Sequence, residues 1–228
     1  MPKCVGILGG MGPKATAYFY QLLIDETPAT CDQDHIPTLI YSLPQIPDRT
    51  QCILTQDHSY IQSLLTHGLM TLEKAGADII VIPCNTVHYY YEYMNSQTQI
   101  PIVNMINEVF DYCHHHVHSS IALLATSGTI QSNLYQSLFQ SKNPPLFIPD
   151  LSAQDDIMTI INSIKSESLS LVDLKNKLST IISSFSLDSS TSYILGCTEL
   201  PLLYDGELPN TFIDPMRLLA KKAVSLSL

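Results

Sequence analysis

Apolar and polar residues alternate along the chain in two periods. Short apolar runs at 5–8, 38–41, 78–82, 102–104, 121–125, 146–148, 193–195 and 212–214 have the length and β-branched character of buried strands. Between them lie longer segments with helical spacing, at 14–25, 57–75, 85–95, 106–116, 130–140, 153–165, 171–185 and 216–225. Pro13 suits the first position of one helix, and Gly76 suits the end of another. Regular strand–helix alternation predicts parallel sheets covered by helices on both faces. Two stretches fit less well. Residues 42–56, with Pro44, Pro47, Asp48, Arg49 and Thr50, read as a long functional loop. The Ser- and Leu-rich stretch 163–192 reads as a surface helix whose apolar face uses Leu169, Val172, Leu178, Ile181 and Ile182.

The pattern repeats. Val5-Gly6-Ile7-Leu8 leading to Gly12 matches Ile121-Ala122-Leu123-Leu124 leading to Gly128. Ile80-Val81-Ile82-Pro83-Cys84-Asn85-Thr86 matches Tyr193-Ile194-Leu195-Gly196-Cys197-Thr198, and Ile102-Val103-Asn104 matches Phe212-Ile213-Asp214. Three matches in one order predict an α/β protein of two pseudo-symmetric parallel-sheet, flavodoxin-like domains. Residues 1–100 plus 209–228 would form the first and 101–208 the second, with the active site in the cleft beyond the strand ends.

Composition narrows the function. The 228 residues carry 11 Lys and Arg against 21 Asp and Glu, a net charge of −10. So acidic a chain lacks the basic footprint that nucleic acid requires, yet a few local donors can still hold a small anion. No apolar run reaches the length of a membrane span, and the N-terminal apolar stretch is broken by Gly6, Gly9 and Gly10. The expected location is the cytoplasm. Six widely spaced cysteines form no C-x-x-C pair and predict neither a zinc ribbon nor a disulfide framework.

Gly9-Gly10-Met11-Gly12-Pro13-Lys14-Ala15-Thr16 fails as a P-loop because Pro13 and Ala15 interrupt the Gly-Lys-Thr order. It fails as a dinucleotide fingerprint because the second strand ends in Ile40-Tyr41-Ser42, without a carboxylate. The run His114-His115-His116-Val117-His118 contains no carboxylate and suits adventitious nickel or zinc better than a physiological metal site. Cys84 and Cys197 are different. Each ends an apolar strand at equivalent places of the two halves and precedes Asn85-Thr86 or Thr198-Glu199. Aligned backbone N–H groups at a helix start predict a lowered thiol pKa at both. Two thiols facing each other across a cleft could remove a proton from one face of a carbon and return one to the other.

Taken together, Gly9-Gly10-Met11-Gly12-Pro13, Pro44-Gln45-Ile46-Pro47-Asp48-Arg49-Thr50, Pro83-Cys84-Asn85-Thr86-Val87-His88, Thr126-Ser127-Gly128-Thr129-Ile130, Gly196-Cys197-Thr198-Glu199 and Ile213-Asp214-Pro215-Met216 resemble the aspartate racemase branch of the aspartate/glutamate racemase family. Glu199 stands where glutamate racemases typically place His, which favours the aspartate branch. The resemblance implies a cofactor-independent amino-acid racemase, a homodimer, with Cys84 and Cys197 as the acid/base pair. It implies a small dicarboxylic amino acid as substrate, aspartate with glutamate as a further candidate. The α-carboxylate would lie among Asn85, Thr86, Ser127, Gly128, Thr129 and Thr198. The side-chain carboxylate would meet Arg49 and Lys165, with Met11 nearby. A guanidinium that can fork onto a carboxylate supports Arg49 independently. The alternatives are a Cys-dependent decarboxylase or cis–trans isomerase of the same superfamily, a non-catalytic amino-acid-binding module, and a redox dithiol.

Overall fold

A computed structural model describes residues 2–117, 119–140, 144–185, 187–204, 209 and 211–228. The first sheet has the parallel order β2-β1-β3, with β1 at Val5–Gly9, β2 at Thr38–Ser42 and β3 at Ile79–Val81. Alternation along these strands builds two cores. Val5, Ile7, Ile79 and Val81 pack against Ala15, Phe19, Leu22 and Leu23 of helix α1 (Pro13–Glu26). Leu8, Ile80 and Ile82 turn to the opposite face. There α3 (Ser59–Ala75), the helix after α2 (Arg49–Thr55), supplies Ile61, Leu65, Leu69 and Leu72. Gly68 lets α3 settle onto the sheet, since a Cβ there would lie 2.5 Å from Leu8.

The second sheet has the parallel order β5-β4-β6-β7, from β4 (Ile121–Ala125), β5 (Leu146–Phe147), β6 (Ser192–Gly196) and β7 (Phe212–Ile213). Helices α8 (Leu151–Ser166) and α9 (Leu171–Ser184) cover the face formed by Ala122, Leu124, Tyr193 and Leu195. Helix α5 (Met105–His116), with Tyr135 and Phe139, covers Ile121, Leu123, Ala125 and Ile194. The order β2-β1-β3 thus recurs as β5-β4-β6, as the internal repeat requires. The repeat extends one step further, since a lone parallel bridge from Ile80 to Ile102 corresponds to the pairing of Tyr193 with Phe212.

The final segment divides between the halves. Strand β7 joins the second sheet, although a boundary at 209 assigns it to the first domain. Helix α10 (Pro215–Ser227), capped by Asp214, returns to the first core through Met216, Leu219, Ala220, Ala223 and Val224. It also packs along α5.

Several local expectations change. Expected strand 102–104 is reduced to its bridge, because the Asn104 side chain accepts from the Ile106 and Asn107 N–H groups and starts α5. The expected loop 42–56 contains α2, whose cap is Asp48 accepting from the Gln51 N–H. The expected helix 130–140 is two short pieces, α6 (Ser127–Gln131) and α7 (Gln136–Phe139), broken where Asn133 takes a left-handed conformation at φ 55°. Residues 85–95 form a 3₁₀ turn, Thr86–Tyr90, followed by α4 (Tyr91–Ser96). Helix α9 buries Leu178 and Ile181 and packs Ile182 as expected, adds Leu174, and leaves Val172 66% exposed.

Candidate active site

All strands within each sheet are parallel, so each sheet gathers its strand ends on one side. The β1 end leads into Gly10, whose φ of 95° lets the turn pass within 2.5 Å, measured from a hypothetical Cβ, of the Leu43 backbone. Its N–H donates to Thr16 Oγ1 at 2.9 Å. The ends of β3 and β6 deliver Cys84 and Cys197, both buried and unpaired by disulfides. The end of β4 delivers Thr126, which caps α6.

The two thiols meet different surroundings. Behind Cys84, the buried His88 ring is fixed by two backbone groups. Its Nε2 accepts from the Met105 N–H at 3.1 Å, so Nδ1 carries the proton and donates to the Cys84 carbonyl at 2.8 Å. Burial pushes the His88 pKa down, keeping the ring neutral. His88 therefore braces the backbone of Cys84 and does not touch its sulfur through these bonds. In front of Cys84 stands Arg49. Burial opposes the guanidinium charge, but the Cys84 sulfur, Asp48 and Glu199 outweigh that cost and raise the Arg49 pKa. Its Nη1 donates to the Pro47 carbonyl at 3.0 Å, and its Nη2 reaches the Met11 carbonyl at 3.5 Å. Nε is buried without a hydrogen-bond partner among the described residues.

At the other end, Cys197 Sγ donates to Glu199 Oε2 at 3.0 Å, and Thr198 Oγ1 donates to the same oxygen at 3.2 Å. Burial, and then the Glu199 carboxylate, push the Cys197 thiol well up; Lys165 acts in the opposite direction. The expected lowered pKa is thus overturned at Cys197. Desolvation and a neighbouring negative charge exceed any effect of the short 3₁₀ turn Leu200–Leu203 that follows.

The halves touch through hydroxyls. Thr86 Oγ1 lies 2.9 Å from both Thr126 Oγ1 and Thr129 Oγ1, and all three residues are buried. Gly128 sits against Thr50, where a Cβ would come within 2.8 Å of the Thr50 Cα. Asn85 is buried; its Oδ1 accepts from the Tyr135 hydroxyl at 2.5 Å, and its Nδ2 has no partner among the described residues. Ser127 is half-buried, 3.4 Å from Gln154 Nε2.

A cleft of about 490 Å³ opens between α1, α2 and α8, lined by Met11, Gly12, Pro13, Arg49, Lys165 and Glu199 among others. At its rim Lys14 pairs with Glu167 at the end of α8, an exposed bridge across the halves. Arg49, Lys165 and Met11 thus share one cleft, whereas Asn85, Thr86, Ser127, Gly128 and Thr129 are not among its lining residues and group instead around the Thr86–Thr126–Thr129 contact. Thr198 adjoins Cys197 and Glu199. Glu199 and Tyr135 were not among the expected binding residues. Glu199 had a visible signal in following Cys197 by two positions, whereas Tyr135 had none. No group of three or more His, Cys, Asp or Glu suited to a metal occurs among the described residues, and His118 lies outside them.

The model of the Asp/Glu/Hydantoin racemase family matches residues 8–223. The chain belongs to that family. With it comes an isomerase activity. The broad specificity amino-acid racemase RacX of Bacillus subtilis is 30% identical, with 97% of this chain and 96% of that protein covered. The Picrophilus torridus aspartate racemase superposes with a TM-score of 0.85 at 28% identity, covering 99% of this chain and 94% of that one. Glutamate racemase from Francisella tularensis, at 18% identity and a TM-score of 0.72, shares the fold over 99% of this chain and 81% of its own. No helix among the described residues is long and apolar enough to cross a membrane.

Proposed function

We propose that this racemase interconverts the enantiomers of aspartate, and of glutamate as a second substrate, without a cofactor, using Cys84 and Cys197 as its acid and base. The observation that carries this reading is that the Arg49 guanidinium feels both the Cys84 sulfur and the Glu199 carboxylate, while Glu199 accepts from the Cys197 thiol. Arg49 and Glu199 line one cleft.

The resting arrangement suggests an order of events. Cys197 keeps its proton, held toward Glu199, and stands ready as the acid. Cys84, beside the Arg49 guanidinium, takes the α-proton as a thiolate. The electron pair left on Cα spreads into the α-carboxylate, and the Cys197 thiol delivers its proton to the opposite face. Cys84 ends as a thiol and Cys197 as a thiolate, which is the starting state for the other enantiomer. The growing charge on the α-carboxylate needs donors already in place. Asn85 Nδ2, buried and unpaired, offers one. The hydroxyls of Thr86, Ser127, Thr129 and Thr198 and the close-packed backbone at Gly128 complete that subsite.

For the side-chain carboxylate, Arg49 retains its unpartnered Nε and a weakly engaged Nη2 on one edge, a side-on fork for two oxygens. Lys165 adds charge, and Met11 forms the adjacent wall. The relative named for aspartate supports this choice of substrate. The same reading places the enzyme in the cytoplasm, where its six free cysteines stay reduced, as a homodimer.

The deciding experiment is chiral analysis of aspartate and glutamate after incubation in deuterated water, with and without prior thiol alkylation. Racemisation accompanied by α-deuteration, abolished by alkylation, is expected. Decarboxylation, or tight binding without exchange, would overturn the proposal.

A further inference from the structure

We infer that Tyr135, buried in the core of the second half, orients the Asn85 amide so that its donor end is presented to the substrate carboxylate. This inference rests on the reading of Asn85 as part of the α-carboxylate subsite.

A buried asparagine has two ends of nearly equal shape and opposite hydrogen-bonding sense. If Nδ2 faces a carboxylate it attracts, and if Oδ1 does so it repels. Packing alone separates these orientations poorly, so a neighbouring group must decide. Asn85 is 2% exposed, and Tyr135 is fully buried among Val109, Phe139, Leu123 and Ile194. Their contact, Tyr135 Oη to Asn85 Oδ1 at 2.5 Å, is the one hydrogen bond recorded for that hydroxyl among the described residues. Burial holds the phenol well above its ordinary pKa, so it keeps its proton and must donate it. Rotating the amide would leave that buried O–H without an acceptor, at a substantial cost. The hydroxyl therefore fixes Oδ1 and turns away Nδ2, which is buried and has no hydrogen-bond partner among the described residues.

The contact has a second consequence. Tyr135 packs with the second sheet, while Asn85 follows Cys84 at the end of the first. The amide is held in its binding orientation when the halves are together. Tyr135 is a positioning residue acting through Asn85.

The test compares Tyr135→Phe, Asn85→Ala, the double variant and Asn85→Asp. Tyr135→Phe keeps the ring and hence the core, and thermal unfolding verifies that it folds. Its kcat/KM should fall about 10–100-fold, the size of one hydrogen bond to a charged group. The double variant should be no worse than Asn85→Ala, because the hydroxyl acts through the amide alone. Asn85→Asp tests the same idea with the tyrosine intact. Tyr135 satisfies one oxygen, the other faces the substrate carboxylate, and kcat/KM should fall below that of Asn85→Ala. Additive losses in the double variant, or Tyr135→Phe with lowered thermal stability and unchanged kcat/KM, would overturn the inference. Unchanged kcat/KM in Asn85→Ala would instead remove Asn85 from the subsite, a failure of the underlying reading that the other variants do not mimic.

Discussion

The two cysteines occupy equivalent strand ends of a repeated fold, and yet the charges around them have opposite sign. Cys84 faces a guanidinium, while Cys197 donates to a carboxylate. The backbone is repeated and the electrostatics are not. A symmetric pair of thiols would have no defined resting state, because either sulfur could hold the proton. Under the proposed two-thiol reading, Glu199 and burial favour the protonated form of Cys197. Pseudo-symmetry then supplies the equivalent positions, and the unmatched side chains would decide which sulfur starts as acid.

The largest test of this contrast removes one thiol at a time. Cys84→Ala and Cys197→Ala should each lose racemisation by about 10²–10⁴-fold or more, since each deletes one proton-transfer partner. Each should still exchange the α-proton of one enantiomer with solvent, and the two variants should select opposite enantiomers. Exchange in Cys84→Ala should rise with pH, because Cys197 must first lose its proton. Exchange by both variants from the same enantiomer, read by mass spectrometry of resolved aspartate, would break the opposed-thiol picture.

Next in size is Arg49→Lys. A compact ammonium keeps the charge and loses the planar fork, so kcat/KM for aspartate should drop about 10–100-fold. Steady-state kinetics with a neutral amino acid in parallel separates the two roles of Arg49. A loss for aspartate alone marks the side-chain fork, and an equal loss for both marks the contact with Cys84.

The smallest effect belongs to Glu199→Gln, about 5–10-fold in kcat at the optimum. Its signature is in the pH profile. Burial and Glu199 both raise the Cys197 pKa, so removing the carboxylate's charge lets the thiol ionise at lower pH. In the direction that uses Cys197 as the acid, the alkaline limb should therefore move to lower pH. A limb that stays in place would show that burial alone keeps Cys197 protonated.

Much of this architecture is visible in the chain. Apolar runs mark β1, β4 and β6, and the paired Cys motifs mark the repeat, because buried parallel strands need continuous apolar residues whatever surrounds them. Local chemistry also offered more than the Pro-rich segment 42–56 suggests at first reading. Asp48 beside Arg49 and Thr50 is a helix-start signal, obscured by the nearby prolines. Asn133 hid a break within an apparently helical stretch. What sequence could not supply was partnership across the halves. Tyr135 and Asn85 lie 50 positions apart, and Thr86 meets Thr129 across 43. The raised pKa of Cys197 depends first on desolvation, which exists only after the sheets have closed around it.

The path of the last helix has a topological consequence. The chain passes from the first half into the second ahead of α5 and returns between β7 and α10, and these two helices lie packed together. Severing the backbone at either passage alone leaves the halves tethered by the other. A single proteolytic nick at either passage should not divide the molecule, and the first half, unlike the second, cannot be excised as one uninterrupted stretch of polypeptide.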